Sequence, residues 1–218
     1  MLTSLLTYRE NKSYSPEVEK SQYEGLNGIN PLVKIISPSK YRNKVIILYH
    51  GASPYAEEHP KLEMLGIVLA QNGYKVFIPR IPPLKILDIS AINVEWFICF
   101  YQWLLDVHQL ESQNIAMIGT SYGGGIMLKA YLQFQESLPH PNTLMTYGTY
   151  ADAESTLHFL LTGEISNHGV QYKITPHEWG LIVIFNNYLK NLELDWDTSG
   201  VQEVMVLEIQ EKIDERDK

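Results

Sequence analysis

Residues 114–125 read Asn-Ile-Ala-Met-Ile-Gly-Thr-Ser-Tyr-Gly-Gly-Gly. Asn114 to Ile118 is a short apolar run of strand type, and it stops at a Gly-x-Ser-x-Gly pattern, Gly119-Thr120-Ser121-Tyr122-Gly123. From Tyr122 to Gln135 the residues Ile126, Met127, Ala130, Tyr131 and Phe134 recur at the spacing of one buried helix face. A strand that turns sharply into a helix at a serine stands that side chain up on a strained turn, and the turn needs small residues at both ends. A serine hydroxyl is a poor nucleophile at neutral pH. It requires a base within hydrogen-bond reach and donors for the oxyanion it creates. The helix start under Ser121 favours that developing negative charge. The weaker alternative is a glycine-rich helix start with an incidental serine.

Outward from this turn, strands and helices alternate. Leu32 to Ile36 reads as a strand closed by Pro38. Val45 to Tyr49 is a continuous apolar run, as expected of a strand buried on both faces of a parallel sheet. His50-Gly51-Ala52 follows it directly. A helix is predicted over His59 to Gln71, then a strand over Tyr74 to Ile78, then a proline-broken loop, Arg80 to Leu84. Ala91 to Leu110 is a long apolar helix, and Thr143 to Tyr147 is the next strand. Residues 1–22 read as a polar extension or a short helix. Such alternation implies an α/β fold, a mostly parallel sheet with right-handed crossovers and helices on both faces.

The order strand, His-Gly, helix, strand, proline loop, helix, strand, Gly-x-Ser-x-Gly, helix, strand covers roughly residues 30–165. It resembles the α/β-hydrolase superfamily of esterase- and lipase-like serine hydrolases. The resemblance implies a three-layer core over residues 1–150, with Ser121 as nucleophile. It assigns the backbone N–H groups of Ala52 and Tyr122 to the oxyanion hole. Gly119 and Gly123 are the small residues at the two ends of the elbow, Gly51 belongs to the loop after the Val45–Tyr49 strand, and His50 is a loop-shaping residue in place of the base. Tyr150 to Gly163 resembles the start of a helical cap, so residues 151–218 are expected to form a helical cap-like segment ending in a charged tail.

In that superfamily an acid and then a histidine follow the nucleophile along the chain. Asp152 is the candidate acid, with helix initiation as its competing and favoured role. Asp195 and Asp197 read as solvated. His140, His158, His168 and His177 follow Ser121, yet none has the strand-then-loop setting of a base, which stays unassigned. Gly163 to Thr175 is expected to be a loop, and a helix is expected from Pro176 to Leu189. The sheet is therefore expected to be truncated after Thr143 to Tyr147. Two functions follow. One is an esterase-type hydrolysis of a small acyl ester through an acyl-serine intermediate. The other is a catalytically incomplete hydrolase fold that associates through its open sheet edge, as a homodimer or with a complementing chain.

Composition bounds both. Of 218 residues, 45% are hydrophobic, enough for a sizeable core. Seventeen Lys and Arg against 25 Asp and Glu give a charge of −8, unsuited to nucleic acid. The single cysteine, Cys99, lies in an apolar run and forms no internal disulfide, which suits a reducing, cytoplasmic setting. Met1 to Glu10 lacks the pattern of a signal peptide, and no apolar run is long enough for a membrane helix. Phosphate-loop, dinucleotide and zinc-site spacings are absent from the sequence, so neither a cofactor nor a metal is expected.

Overall fold

Val45-Ile46-Ile47-Leu48-Tyr49 is buried along its whole length and forms strand β3 of a six-stranded sheet. The computed structural model describes residues 15–176, 178–189, 193 and 195–216. In chain order the other strands are β1 (Glu17–Gln22), β2 (Leu32–Ser37), β4 (Lys75–Pro79), β5 (Ile115–Thr120) and β6 (Thr143–Tyr147). Their order across the sheet is β1-β2-β4-β3-β5-β6. The pairs β3–β4, β3–β5 and β5–β6 are parallel, whereas β1–β2 and β2–β4 are antiparallel. The parallel strands all end on the edge of the sheet that carries Ser121.

Both faces are covered. Helix α1 (Pro60–Gln71) lays Leu62, Leu69 and Ala70 on Ile36, Ile46, Leu48, Val76 and Ile78. On the opposite face lie α3 (Ile92–His108) and α4 (Tyr122–Phe134), with the single-turn helix α2 (Pro82–Lys85) preceding them in the chain. Trp96, Phe97, Phe100, Leu104, Met127 and Phe134 there meet Tyr49, Phe77 and Met117. Tyr49 stacks on Phe97 with ring centroids 4.1 Å apart, and its hydroxyl donates to the Phe97 carbonyl. Each such buried aromatic contributes on the order of 1.5–3 kcal/mol of transfer free energy.

Three expectations from the sequence are corrected. Of the stretch 1–22, expected as a polar extension or a short helix, residues 1–14 lie outside the described residues and residues 17–22 form an edge strand. Glu-Val-Glu-Lys-Ser-Gln is exposed throughout, so its main-chain bonds to β2 leave no hydrophobic period to read. Within the stretch Arg80 to Leu84, Pro82 and Pro83 open α2. A proline suits the first turn of a helix, because the N–H it lacks there has no intrahelical partner to lose. Residues 163–175 are not a plain loop: β7 (Glu164–Asn167) and β8 (Val170–Lys173) pair as an antiparallel hairpin. Its two turn residues, His168 and Gly169, both have positive φ, of 50° and 79°, as a tight hairpin turn demands.

The chain divides into two units. The first runs to Ile86 and resumes over Ser90–Thr149, and it contains the whole six-stranded sheet. The second comprises Leu87–Ile89 and the chain from Tyr150 onward. It holds α5 (Ala153–Thr162), the β7–β8 hairpin, α6 (Glu178–Tyr188) and α7 (Ser199–Arg216). Asn187 of α6 binds the 87–89 segment at both ends of its amide, donating to the Leu87 carbonyl at 2.5 Å and accepting from the Ile89 N–H at 3.4 Å.

Candidate functional site

Strand β5 ends at Thr120 and α4 begins at Tyr122, which leaves Ser121 alone to make the turn. Its backbone has φ 51° and ψ −132°, a conformation that a residue with a side chain rarely adopts. Two anchors hold it there. The Ser121 N–H donates to the Tyr147 carbonyl at 2.9 Å, and the Ser121 carbonyl accepts from the Gly124 N–H at 3.0 Å. The Ser121 side chain is exposed at the end of the sheet.

The glycines around it are needed for space. A Cβ at Gly123 would lie 2.1 Å from the His50 carbonyl oxygen, and one at Gly119 would lie 2.6 Å from the Cα of Gly124. Helix α4 thus enters against the chain that leaves β3. Gly51 closes the other side: a Cβ there would stand 3.0 Å from the Ser121 Cβ and 3.4 Å from its Oγ. The Thr120 hydroxyl donates to the Tyr49 carbonyl at 3.1 Å, tying the ends of β5 and β3 together beneath this contact. The structure therefore brings Ser121, Tyr122, Gly119, Gly123, His50, Gly51 and Ala52 to one end of the sheet.

His50 is buried, and both ring nitrogens are engaged. Nδ1 bonds the Gly51 carbonyl at 2.7 Å and so carries the proton, while Nε2 accepts from the Ile81 N–H at 3.2 Å. Burial pushes its pKa down from 6.5 to about 4. At neutral pH it is an uncharged strut between the loop after β3 and the loop after β4. That loop after β3 is pinned twice more. The Ser53 N–H donates to the Leu84 carbonyl at 3.3 Å. The Glu57 carboxylate, wholly buried, takes the Arg80 Nε–H at 3.0 Å on each oxygen, and Arg80 Nη2 reinforces the pair. Glu57 and Arg80 carry no motif signal; the buried charge would have had to be inferred from pairing across the two loops.

The residues weighed as triad partners are described each within its own element. Asp152 is the N-cap of α5. Its Oδ2 accepts from the Ser155 N–H at 2.6 Å, and that bond holds its pKa below the ordinary value. His140 precedes β6 and bonds the Tyr131 hydroxyl at 2.8 Å. Strand β6 runs parallel to β5, so His140 sits at the opposite end of the sheet from Ser121, about 17 Å of strand away. It is removed from consideration as the base. His158 is exposed on α5, with Nε2 3.9 Å from a Glu164 oxygen, and His168 occupies the hairpin turn. Asp197 caps the start of α7 through Ser199, and Asp195 is exposed. His177 lies outside the described residues. No group of His, Cys, Asp and Glu able to hold a metal ion occurs among the described residues, and no helix among them is long and apolar enough to cross a membrane.

No protein-family model matches the chain, and no curated protein matches it. Solved structures do. A bacterial heroin esterase is 15% identical with a TM-score of 0.51, over 74% of this chain and 54% of that one. An esterase/lipase from an uncultured bacterium is 18% identical with a TM-score of 0.49, over 71% and 51%. Dienelactone hydrolase from Anabaena variabilis ATCC 29413 is 17% identical with a TM-score of 0.49, over 62% and 64%. The chain spans about half the length of the first two. The likeness to the heroin esterase is one of fold.

Proposed function

We propose that this chain, which has the α/β-hydrolase fold, acts as an esterase-type serine hydrolase on a small acyl ester, with Ser121 as the nucleophile. The observation that carries the proposal is the strained backbone of Ser121, held with its hydroxyl exposed and Gly51 packed against it. A protein retains such a conformation where the surrounding structure over-determines it, and active sites are where this is found. In the reaction, Oγ attacks the ester carbonyl carbon and the carbonyl electron pair moves onto oxygen. The N–H groups of Ala52 and Tyr122 stabilise that oxyanion, Tyr122 as the first residue of α4. A general base takes the Oγ proton during the attack and gives it to the alkoxide expelled on collapse. Water then attacks the acyl-serine, releasing the acid and restoring the hydroxyl. Asp152 is carried as the acid only by its place in the chain order, since its carboxylate already serves Ser155. The chemistry requires no cofactor. Turnover of p-nitrophenyl acetate that disappears in Ser121→Ala supports this reading; equal turnover in both proteins removes it.

A second reading is favoured by one observation. Strand β6 ends the sheet and pairs only with β5 among the described residues. It exposes Met145 at 50% and Tyr147 at 74% and contains neither charge nor proline. An uncharged, proline-free edge of this kind is a template for another strand. In this reading the fold is an association module, completed at β6 by a second copy or another chain.

A further inference from the structure

The loop after β3 carries Gly51 and Ala52 and extends to Glu58 before α1 begins. It is tied to the loop after β4 at three levels: His50 to Ile81, Ser53 to Leu84, and Glu57 to Arg80. The third tie differs in kind. Glu57 is 0% exposed, its neighbour Ala56 is held at φ 48°, and the Arg80 guanidinium grips both carboxylate oxygens in a fork. Arg80 is itself anchored through its backbone. Its N–H donates to the Leu32 carbonyl at 2.9 Å, and its carbonyl accepts from the buried Tyr23 hydroxyl at 2.6 Å. The next residue of the loop, Glu58, faces Lys20 and Lys85, at 2.6 and 4.0 Å. Arg80 is adjacent in sequence to Ile81, whose N–H holds His50 in place.

We infer that Glu57 and Arg80 are positioning residues for the proposed oxyanion loop, a clamp that sets the distance between the Gly51-Ala52 backbone and Ser121. This rests on the hydrolase reading above. Planar bidentate pairing fixes direction as well as distance, which a lysine at the same place does not. A loop displaced by a fraction of an ångström places its donors off the oxyanion, and a 1 Å misplacement costs on the order of 100-fold in rate. The ground-state contacts of a small ester are not made by this pair, so the loss falls on kcat and not on KM.

The test compares the wild type with Arg80→Lys, Arg80→Ala, Glu57→Gln and, as a surface control in the loop between β2 and β3, Lys40→Ala. Three readouts are taken: kcat and KM on p-nitrophenyl acetate, the rate of fluorophosphonate labelling of the folded fraction, and hydrogen exchange of backbone amides 51–58. Arg80→Lys keeps the charge and loses the fork, so it remains informative where Arg80→Ala fails to fold. The clamp predicts that Arg80→Lys and Glu57→Gln lower kcat and labelling rate about 10- to 100-fold with KM little changed. It also predicts faster exchange confined to 51–58, and restoration of the Arg80→Ala rate by added ethylguanidine. Lys40→Ala stays at wild-type rate. Wild-type kcat in folded Arg80→Lys and Glu57→Gln overturns the inference. Should the wild type itself show no labelling, the hydrolase reading fails separately, and exchange at 51–58 alone decides the clamp: faster exchange in Arg80→Lys sustains it, unchanged exchange overturns it.

Discussion

Gly51 and Ser121 touch across the end of the sheet: a Cβ on Gly51 would lie 3.0 Å from the Ser121 Cβ and 3.2 Å from the Thr120 carbonyl oxygen. Two loops from different parts of the chain thereby share one small space, and the serine's exposed hydroxyl is its outer wall. Gly51→Ala is expected to push them apart by a few tenths of an ångström. The expected result is a loss of kcat/KM on the order of 10-fold with little change in melting temperature, since only displaced donors are lost. Steady-state kinetics and a thermal melt on the same preparation measure the two together.

Gly123 is a harsher case. Its missing Cβ would sit 2.1 Å from the backbone oxygen of His50, and backbone cannot rotate away as a side chain does. Gly123→Ala is expected to destabilise the fold by about 2 kcal/mol or more, as overpacking in a close-packed core does. A lowered urea midpoint with an unchanged slope reports it.

His50 makes the protein acid-sensitive. The unfolded chain binds a proton on this imidazole below about 6.5, whereas the native protein resists it until about 4. The contribution is thus fully present above 6.5 and is lost as pH falls toward 4, amounting to about 3 kcal/mol. His50→Gln removes this term. Between pH 7 and pH 4.5 the variant's urea midpoint is expected to fall less than the wild type's.

The β6 edge carries the association reading. Met145→Lys places a charge on its exposed face. If a second copy pairs there, light scattering shows a dimer for the wild type and a monomer for the variant. A wild-type monomer at high concentration contradicts self-association.

Much of this architecture is legible in the sequence, and the reasons are local. Val45 to Tyr49 reads as a buried strand because all five residues are apolar. The elbow reads because a strand pattern, a serine between glycines and a helix face occur in immediate succession. What escapes has a physical cause in each case. β1 lacks a buried face, so its pairing with β2 leaves no period. The β7–β8 hairpin is short and exposed, and its turn signal, His168-Gly169, is weaker than Asn-Gly. The prolines at 82 and 83 break a strand but permit the first turn of a helix. The Glu57–Arg80 pair joins two loops 23 residues apart, and no local pattern announces a contact of that range. The partners of Ser121 escape for a different reason. Asp152 has the sequence signature of a helix cap, and it is one.

The central claim is that Ser121 is an activated nucleophile, and fluorophosphonate labelling tests it most directly. The account predicts one phosphonyl adduct on the peptide bearing Ser121, absent from Ser121→Ala. A folded wild-type protein that remains unlabelled, or is labelled equally after Ser121→Ala, contradicts it.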